Sequence, residues 1–157
     1  MTDDFEKKLC GFAQNGGTVV VTYWTGVVDE SDLCRLGDTP YGLTKLLGLR
    51  RTEIDGMYDG ETRRCTPASG CALPEAQASI LCEVAALNDT DPAEPLSIYA
   101  EDYFAQYPAA AVHKYGAGRA YYLARRFDEE FYRAFYRDAA KKLALVPAWP
   151  QPLYFSF

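Results

Sequence analysis

Residues 18–23, Thr-Val-Val-Val-Thr-Tyr, restrict the possible folds more than any other stretch of the chain. The run is β-branched and apolar, fenced by Gly16-Gly17 before it and Gly26 after it. Such side chains lose rotamer freedom in a helix and pack well on a pleated surface, so they predict a strand. Continuous rather than alternating apolar character predicts burial on both faces, as in a parallel sheet. Residues 3–15 predict a short helix, with Phe5, Leu9 and Phe12 at i, i+4 and i+7 forming one apolar stripe. Thr2 or Asp3 caps its start, and Asn15-Gly16-Gly17 supplies a left-handed exit. Helix, glycine and buried strand make half of a βαβ repeat, which sets the class as α/β.

Further along, residues 26–38 read as a loop rich in Asp and Gly. Residues 40–49 predict a short helix with Leu43, Leu46 and Leu47 facing inward and Gly48 near its end. Residues 55–79, with their glycines, prolines and charges, predict a long loop or an irregular strand. "ILCEVAAL" and "PLSIYA" are strand-like, and "AAAVHKYGAGRAYYLARRF" is the clearest hairpin, its turn centred on residues 115–118 where Gly116 and Gly118 can take positive φ. Residues 128–145 predict an amphipathic helix. Phe131, Phe135, Ala139 and Leu143 share one face, and Asp128, Glu129 and Glu130 sit at its positive end. The tail "VPAWPQPLYFSF" is too rich in proline for a helix interior. It reads as the start of a further β domain, with packing back onto the chain as the plainer alternative.

Composition narrows the function. A net charge of −6 argues against nucleic acid, whose affinity rests on basic contacts to phosphate. No apolar run approaches the ~20 residues that span a bilayer, and the acidic start "MTDDFEKK" is unlike a secretory signal. Five irregularly spaced cysteines read as reduced thiols in a cytoplasmic protein rather than a disulfide framework.

Candidate chemistry is sparse. The turn after the first strand reads Tyr23-Trp24-Thr25-Gly26, without the Ser or Cys of a nucleophile elbow. The single histidine, His113, lies inside a hairpin strand and reads as a packed side chain. Asp29, Glu30 and Asp32 alternate as calcium ligands do, but lack the further oxygens and distal glutamate of such a loop, so solvated or interface charges fit better. "YGAGRA" opens a strand rather than a helix and reads as a turn rather than a phosphate loop. No acid stands out as half of a glycosidase pair. No catalytic residue, metal ligand or cofactor is assigned.

The stretches "GGTVVVTYWTGVVDESDLCRLGDTPYGLTKLLGL", "EID" and "YAEDYFAQYPAAAVHKYGAGRAYYLARRFDEEFYR" resemble the middle, trimerisation domain of glycoside hydrolase family 42 β-galactosidases. The similarity runs from about residue 5 to 145. It implies a partial flavodoxin-like, class I glutamine amidotransferase-like three-layer sandwich, with a mixed sheet and a C-terminal hairpin plus helix. It implies a domain over residues 1–146 that forms the back half of the family's middle domain, then a tail over 147–157. In that family the catalytic glutamates lie on a preceding (β/α)8 barrel, and no position here corresponds to them. The expected role is therefore non-catalytic assembly within a β-galactosidase. The expected partners are further copies, as dimer or trimer, and the catalytic barrel of the parent enzyme. Trp24, Asp29, Glu30, Asp32 and Arg35 are the candidate docking residues, because an aromatic beside charges suits an interface anchor. Two alternatives stay open: an amidotransferase-like enzyme using Cys34, Cys65 or His113, and a sugar-binding module that kept a cleft at the strand end.

Overall fold

The computed structural model describes residues 1–37 and 39–144. The helix α1 (Asp3–Gln14) starts where Thr2 accepts a hydrogen bond from the Phe5 N–H and ends at Asn15, with Gly16 at a φ of 101°. The strand β1 (Thr18–Thr22) follows and lies parallel to β7 (Gly118–Leu123), Thr18 opposite Arg119. The short α2 (Thr44–Leu47) is less than half the predicted helix, yet buries Leu43, Leu46 and Leu47 as expected and closes on Gly48 at a φ of 65°.

Strands β2 (Leu49–Gly56), β3 (Arg63–Pro67), β4 (Ala76–Leu87), β5 (Glu94–Tyr99) and β6 (Pro108–Tyr115) complete an antiparallel portion with β7. The order across the sheet is β1-β7-β6-β5-β3-β4-β2. The last strand, β8 (Arg125–Phe127), runs on from β7 after Ala124 and pairs with β4, so the path β7-β6-β5-β3-β4-β8 closes on itself. Ala124 makes the join: its N–H donates to Ala109 and its carbonyl accepts from Glu83.

The sheet is mixed and helices cover both of its faces, as the α/β reading requires. Neighbours on β7 show the division, since Tyr121 faces one core and Tyr122 the other. One core gathers Cys65, Tyr99, Phe104, Tyr121 and Phe127 under α3 (Glu129–Lys142), whose Phe131, Phe135 and Ala139 are buried. Phe127 stacks on Phe131 at 3.8 Å and Tyr121 meets Phe135 edge-on at 5.2 Å. Burying each such ring is worth ~1.5–3 kcal/mol. The other core joins Val19, Val21, Leu46, Leu49 and Tyr122 with α2 and the end of α1.

Several expectations are corrected. β1 is buried on one face only: Val19 and Val21 are buried, while Val20 is 36% exposed, and among the described residues the strand stands at the end of the sheet. The α1 stripe is largely bare, with Phe5 52% and Phe12 59% exposed, and only Ala13 fully buried. Residues 55–79 hold the end of β2, all of β3 and the start of β4. Leu143 lies past the end of α3 and is 39% exposed. The β6–β7 hairpin has a two-residue turn, Gly116-Ala117, with Tyr115 opposite Gly118. Only Gly116, at 58°, needs positive φ, the pattern of a type II′ turn. Gly118 is required for another reason: a Cβ there would collide with the carbonyl oxygens of Ala13 and Gly17. The tail expectation falls outside the described residues.

Candidate functional site

In open α/β sheets ligands bind beyond the carboxyl ends of the strands. Here the parallel pair β1/β7 ends at Tyr23, whose N–H donates to Leu123 at 2.8 Å. That crevice is filled from within. Glu83 of β4 is fully buried, and its Oε1 accepts from Arg51 Nη1 of β2 at 2.7 Å and from the Trp24 N–H at 2.9 Å. Its Oε2 accepts from the Tyr122 hydroxyl, and its backbone carbonyl accepts from the Tyr99 hydroxyl at 2.8 Å. Burial, then the adjacent carboxylate, pushes the Tyr122 phenol well above its ordinary value, and burial does the same to Tyr99. A buried charge persists only when paired and hydrogen-bonded, and this one is. With no exposed surface, the Glu83 carboxylate meets no substrate. It anchors Trp24, whose backbone sits at a φ of 64° and whose side chain is left exposed.

The loop that follows is braced by its own charges. Asp29 Oδ1 accepts from the N–H groups of Ser31 at 2.7 Å and Leu33 at 3.1 Å, and these bonds hold its carboxyl below the usual carboxylate value. Arg35 reaches Asp3 at 2.9 Å, Glu30 at 3.7 Å and the Met1 carbonyl at 2.8 Å, and its guanidinium lies 4.1 Å from the centre of the Tyr41 ring. Arg35 is thus spent on tying α1 to the loop. Trp24, Glu30 and Asp32 face solvent, and beside them in the chain stand Leu33 (65% exposed) and Leu36 (92% exposed). The rim of the filled crevice is therefore aromatic, apolar and acidic. Leu33 and Leu36 carried no signal in the sequence. Glu83 did: it is a lone acid inside the apolar run "ILCEVAAL", a position that demands a buried partner.

Cys34, Cys65 and His113 do not form a relay. Cys34 is exposed in the rim loop, whereas Cys65 is buried in the α3-side core. Cys65 Sγ accepts from Arg125 Nη1 at 3.3 Å, and burial pushes its thiol up to about 11. His113 is buried on the opposite side, with Nδ1 2.9 Å from the Leu46 carbonyl oxygen and Nε2 3.3 Å from Asp91 but outside hydrogen-bond geometry. Among the described residues, all five cysteines are free, no cluster of His, Cys, Asp and Glu could hold a metal ion, and no helix is long and apolar enough to cross a membrane.

Comparison with known proteins places this geometry. The chain is 40% identical over 145 residues to the β-galactosidase BglY of Alicyclobacillus acidocaldarius and equally to Pbg of Clostridium perfringens, in each case over 90% of this chain and 21% of the relative. It superposes on the β-galactosidase of Rahnella sp. with a TM-score of 0.89 at 37% identity, covering 98% of this chain and 22% of that one. A GH42 β-galactosidase from G. stearothermophilus gives a TM-score of 0.85 at 30% identity, covering 94% and 21%. The chain spans about a fifth of the length of the curated relatives it matches. The family model of the β-galactosidase trimerisation domain matches residues 1–146, and the chain belongs to that family.

Proposed function

We propose that this chain is a non-catalytic assembly domain of a glycoside hydrolase that cleaves terminal β-galactosides. The carrying observation is the trimerisation-domain match over residues 1–146 of a chain that spans a fifth of its β-galactosidase relatives. The catalytic carboxylates then belong to polypeptide outside these residues, on the barrel that this domain helps to arrange. Residues 1–146 form the assembly unit. The parallel β1/β7 pair beside α1 supports descent from an amidotransferase-like ancestor whose strand-end site has been plugged by Arg51 and Glu83. Free thiols on all five cysteines support a cytoplasmic setting.

The rim serves as the docking surface. Trp24 is its anchor, Glu30 and Asp32 supply exposed charge, and Asp29 and Arg35 hold the loop in shape. A rigid exposed aromatic among apolar and charged neighbours is the composition of an interface hot spot. Two measurements test this. The isolated chain should not turn over a chromogenic β-galactoside; turnover that survives purification and is lost when an acid of this chain is replaced would overturn the reading. The full parent polypeptide carrying Trp24→Ala and Leu36→Asp should lose its assembled mass in light scattering, and an unchanged mass would remove the rim from the interface.

A further inference from the structure

Arg125, the first residue of β8, is a buried charge with a poor set of partners. It is fully buried, and among the described residues its guanidinium hydrogen-bonds only to sulfur. Nη1 donates to Cys65 Sγ at 3.3 Å and Nη2 donates to Met57 Sδ at 3.8 Å. The Nε–H meets no acceptor, and the Tyr99 ring centre lies 4.9 Å away. Thiols and thioethers accept weakly, whereas a buried cation is normally answered by oxygen. Met57 sits between this interior and solvent, partly buried against the α3-side core. Its Sδ also accepts from the Cys82 thiol at 3.7 Å. The backbone holds it there: the Met57 N–H donates to the Ile80 carbonyl at 3.0 Å. Ile80 lies where β4 shifts register against β8, at a φ of 75° that a β-branched residue keeps only when its surroundings impose it. That irregularity sets Cys82 opposite Arg125, so two donors converge on one sulfur atom.

We propose that Met57 is a modification site, oxidised by hydrogen peroxide to a sulfoxide whose oxygen is held by Arg125 and the Cys82 thiol. The thioether sulfur attacks one peroxide oxygen, an S–O bond forms as the O–O bond breaks, and after proton transfer the other oxygen leaves as water. Sulfur gives up two electrons and the peroxide takes them. Such oxidation usually disrupts a core, because it makes an apolar side chain polar. Here the new oxygen arrives where two donors already point at the sulfur and a buried cation has no oxygen to bind. A charge-assisted bond to oxygen replaces a weak one to sulfur, so the modification fills a deficit instead of creating one. The neighbouring thiols are poorer targets, since burial raises both Cys65 and Cys82 and the thiolate is the reactive form. This chemistry is independent of the rim and of the assembly role.

Peptide mapping by mass spectrometry after peroxide treatment tests it, with Cys34→Ser in place to remove the exposed thiol. One oxygen should be found on Met57, with Cys65 and Cys82 unmodified, and the oxidised chain should melt no lower than the untreated one. Two variants read the same deficit without an oxidant. Met57→Gln, whose amide oxygen stands in for the sulfoxide, should melt above Met57→Leu, which keeps the apolar shape and removes the acceptor. Packing alone gives the reverse order, because leucine replaces methionine in a core at little cost and glutamine does not. Should both variants unfold, the melt of the oxidised Cys34→Ser chain decides. Met57 left unmodified while Met1 is fully oxidised overturns the proposal. So does an oxidised chain that melts several degrees lower, or a leucine variant that melts above the glutamine one.

Discussion

Helices α1 and α3 carry the same kind of pattern and meet opposite fates. Phe131, Phe135 and Ala139 recur every four residues in α3, and all are buried. Phe5, Leu9 and Phe12 recur in a like manner in α1, yet both phenylalanines are more than half exposed. The difference lies in what is underneath. α3 lies against β7 and β8, where Tyr121 and Phe127 receive its rings, whereas α1 runs beside β7 and β1 at the end of the described sheet. What holds α1 is its C-terminal end, wedged so closely on the hairpin that Gly118 has no space for a Cβ, and the ion pairs of Arg35 at the other end. Periodicity reports that a stripe exists; the neighbouring strand order decides whether anything covers it.

The sharpest way to break this comparison is to truncate equivalent rings. Phe131→Ala should cost ~3–5 kcal/mol, read as a drop in melting temperature of roughly 10 °C, because it leaves a cavity between α3 and β8. If the loss is under ~1 kcal/mol, α3 is not seated as described. Next in size is the wedge: Gly118→Val should destabilise by ~2–3 kcal/mol in urea, since backbone carbonyls cannot yield as side chains do. Gly116→Val should cost less, ~1–2 kcal/mol, the strain of a β-branched residue at positive φ. Equal melts for both variants and the parent would misplace the turn. Phe5→Ser should change stability by no more than ~0.5 kcal/mol, as an exposed substitution does.

The smallest effect concerns pH. Asp29 has its carboxyl held low by two backbone N–H groups, so its contribution is present above the unfolded carboxylate range near ~3.9 and is lost as pH falls through the lower folded value. Backbone amide shifts of Ser31 and Leu33 should therefore move at acid pH while those of α3 residues packed on apolar rings stay fixed. Simultaneous movement of both regions would show that α1 and its loop are not separately braced.

What the sequence made legible follows the same divide. β1, β4, β5, the hairpin and both long helices stand out because their apolar residues have a single period and ordinary caps. β2, with "LRRTEIDG", did not, since it is an outer strand whose side chains are mostly exposed and whose buried Arg51 is tolerable only because the Glu83 carboxylate of the neighbouring β4 accepts its hydrogen bond. A pattern of polarity cannot announce a partner that lies about thirty residues away in the chain. The exposed rim residues Leu33 and Leu36 were silent for a related reason, as a lone leucine in a loop has no period.

The parallel pairing of β1 with β7 also has a history in time. Its partners Thr18 and Arg119 are separated by about a hundred residues of chain, so closing it carries a large loop entropy. The β6–β7 hairpin needs only a two-residue turn and forms on a scale of ~1–10 μs. The hairpin and the strands beside it therefore offer a finished template before β1 arrives, and long-range pairings of this type set the pace. A strand that docks last is also the first to detach. The α1–β1 arm should peel away while the α3 half stays folded, and two chains caught in that state could trade arms, each completing the other's sheet before either has refolded alone.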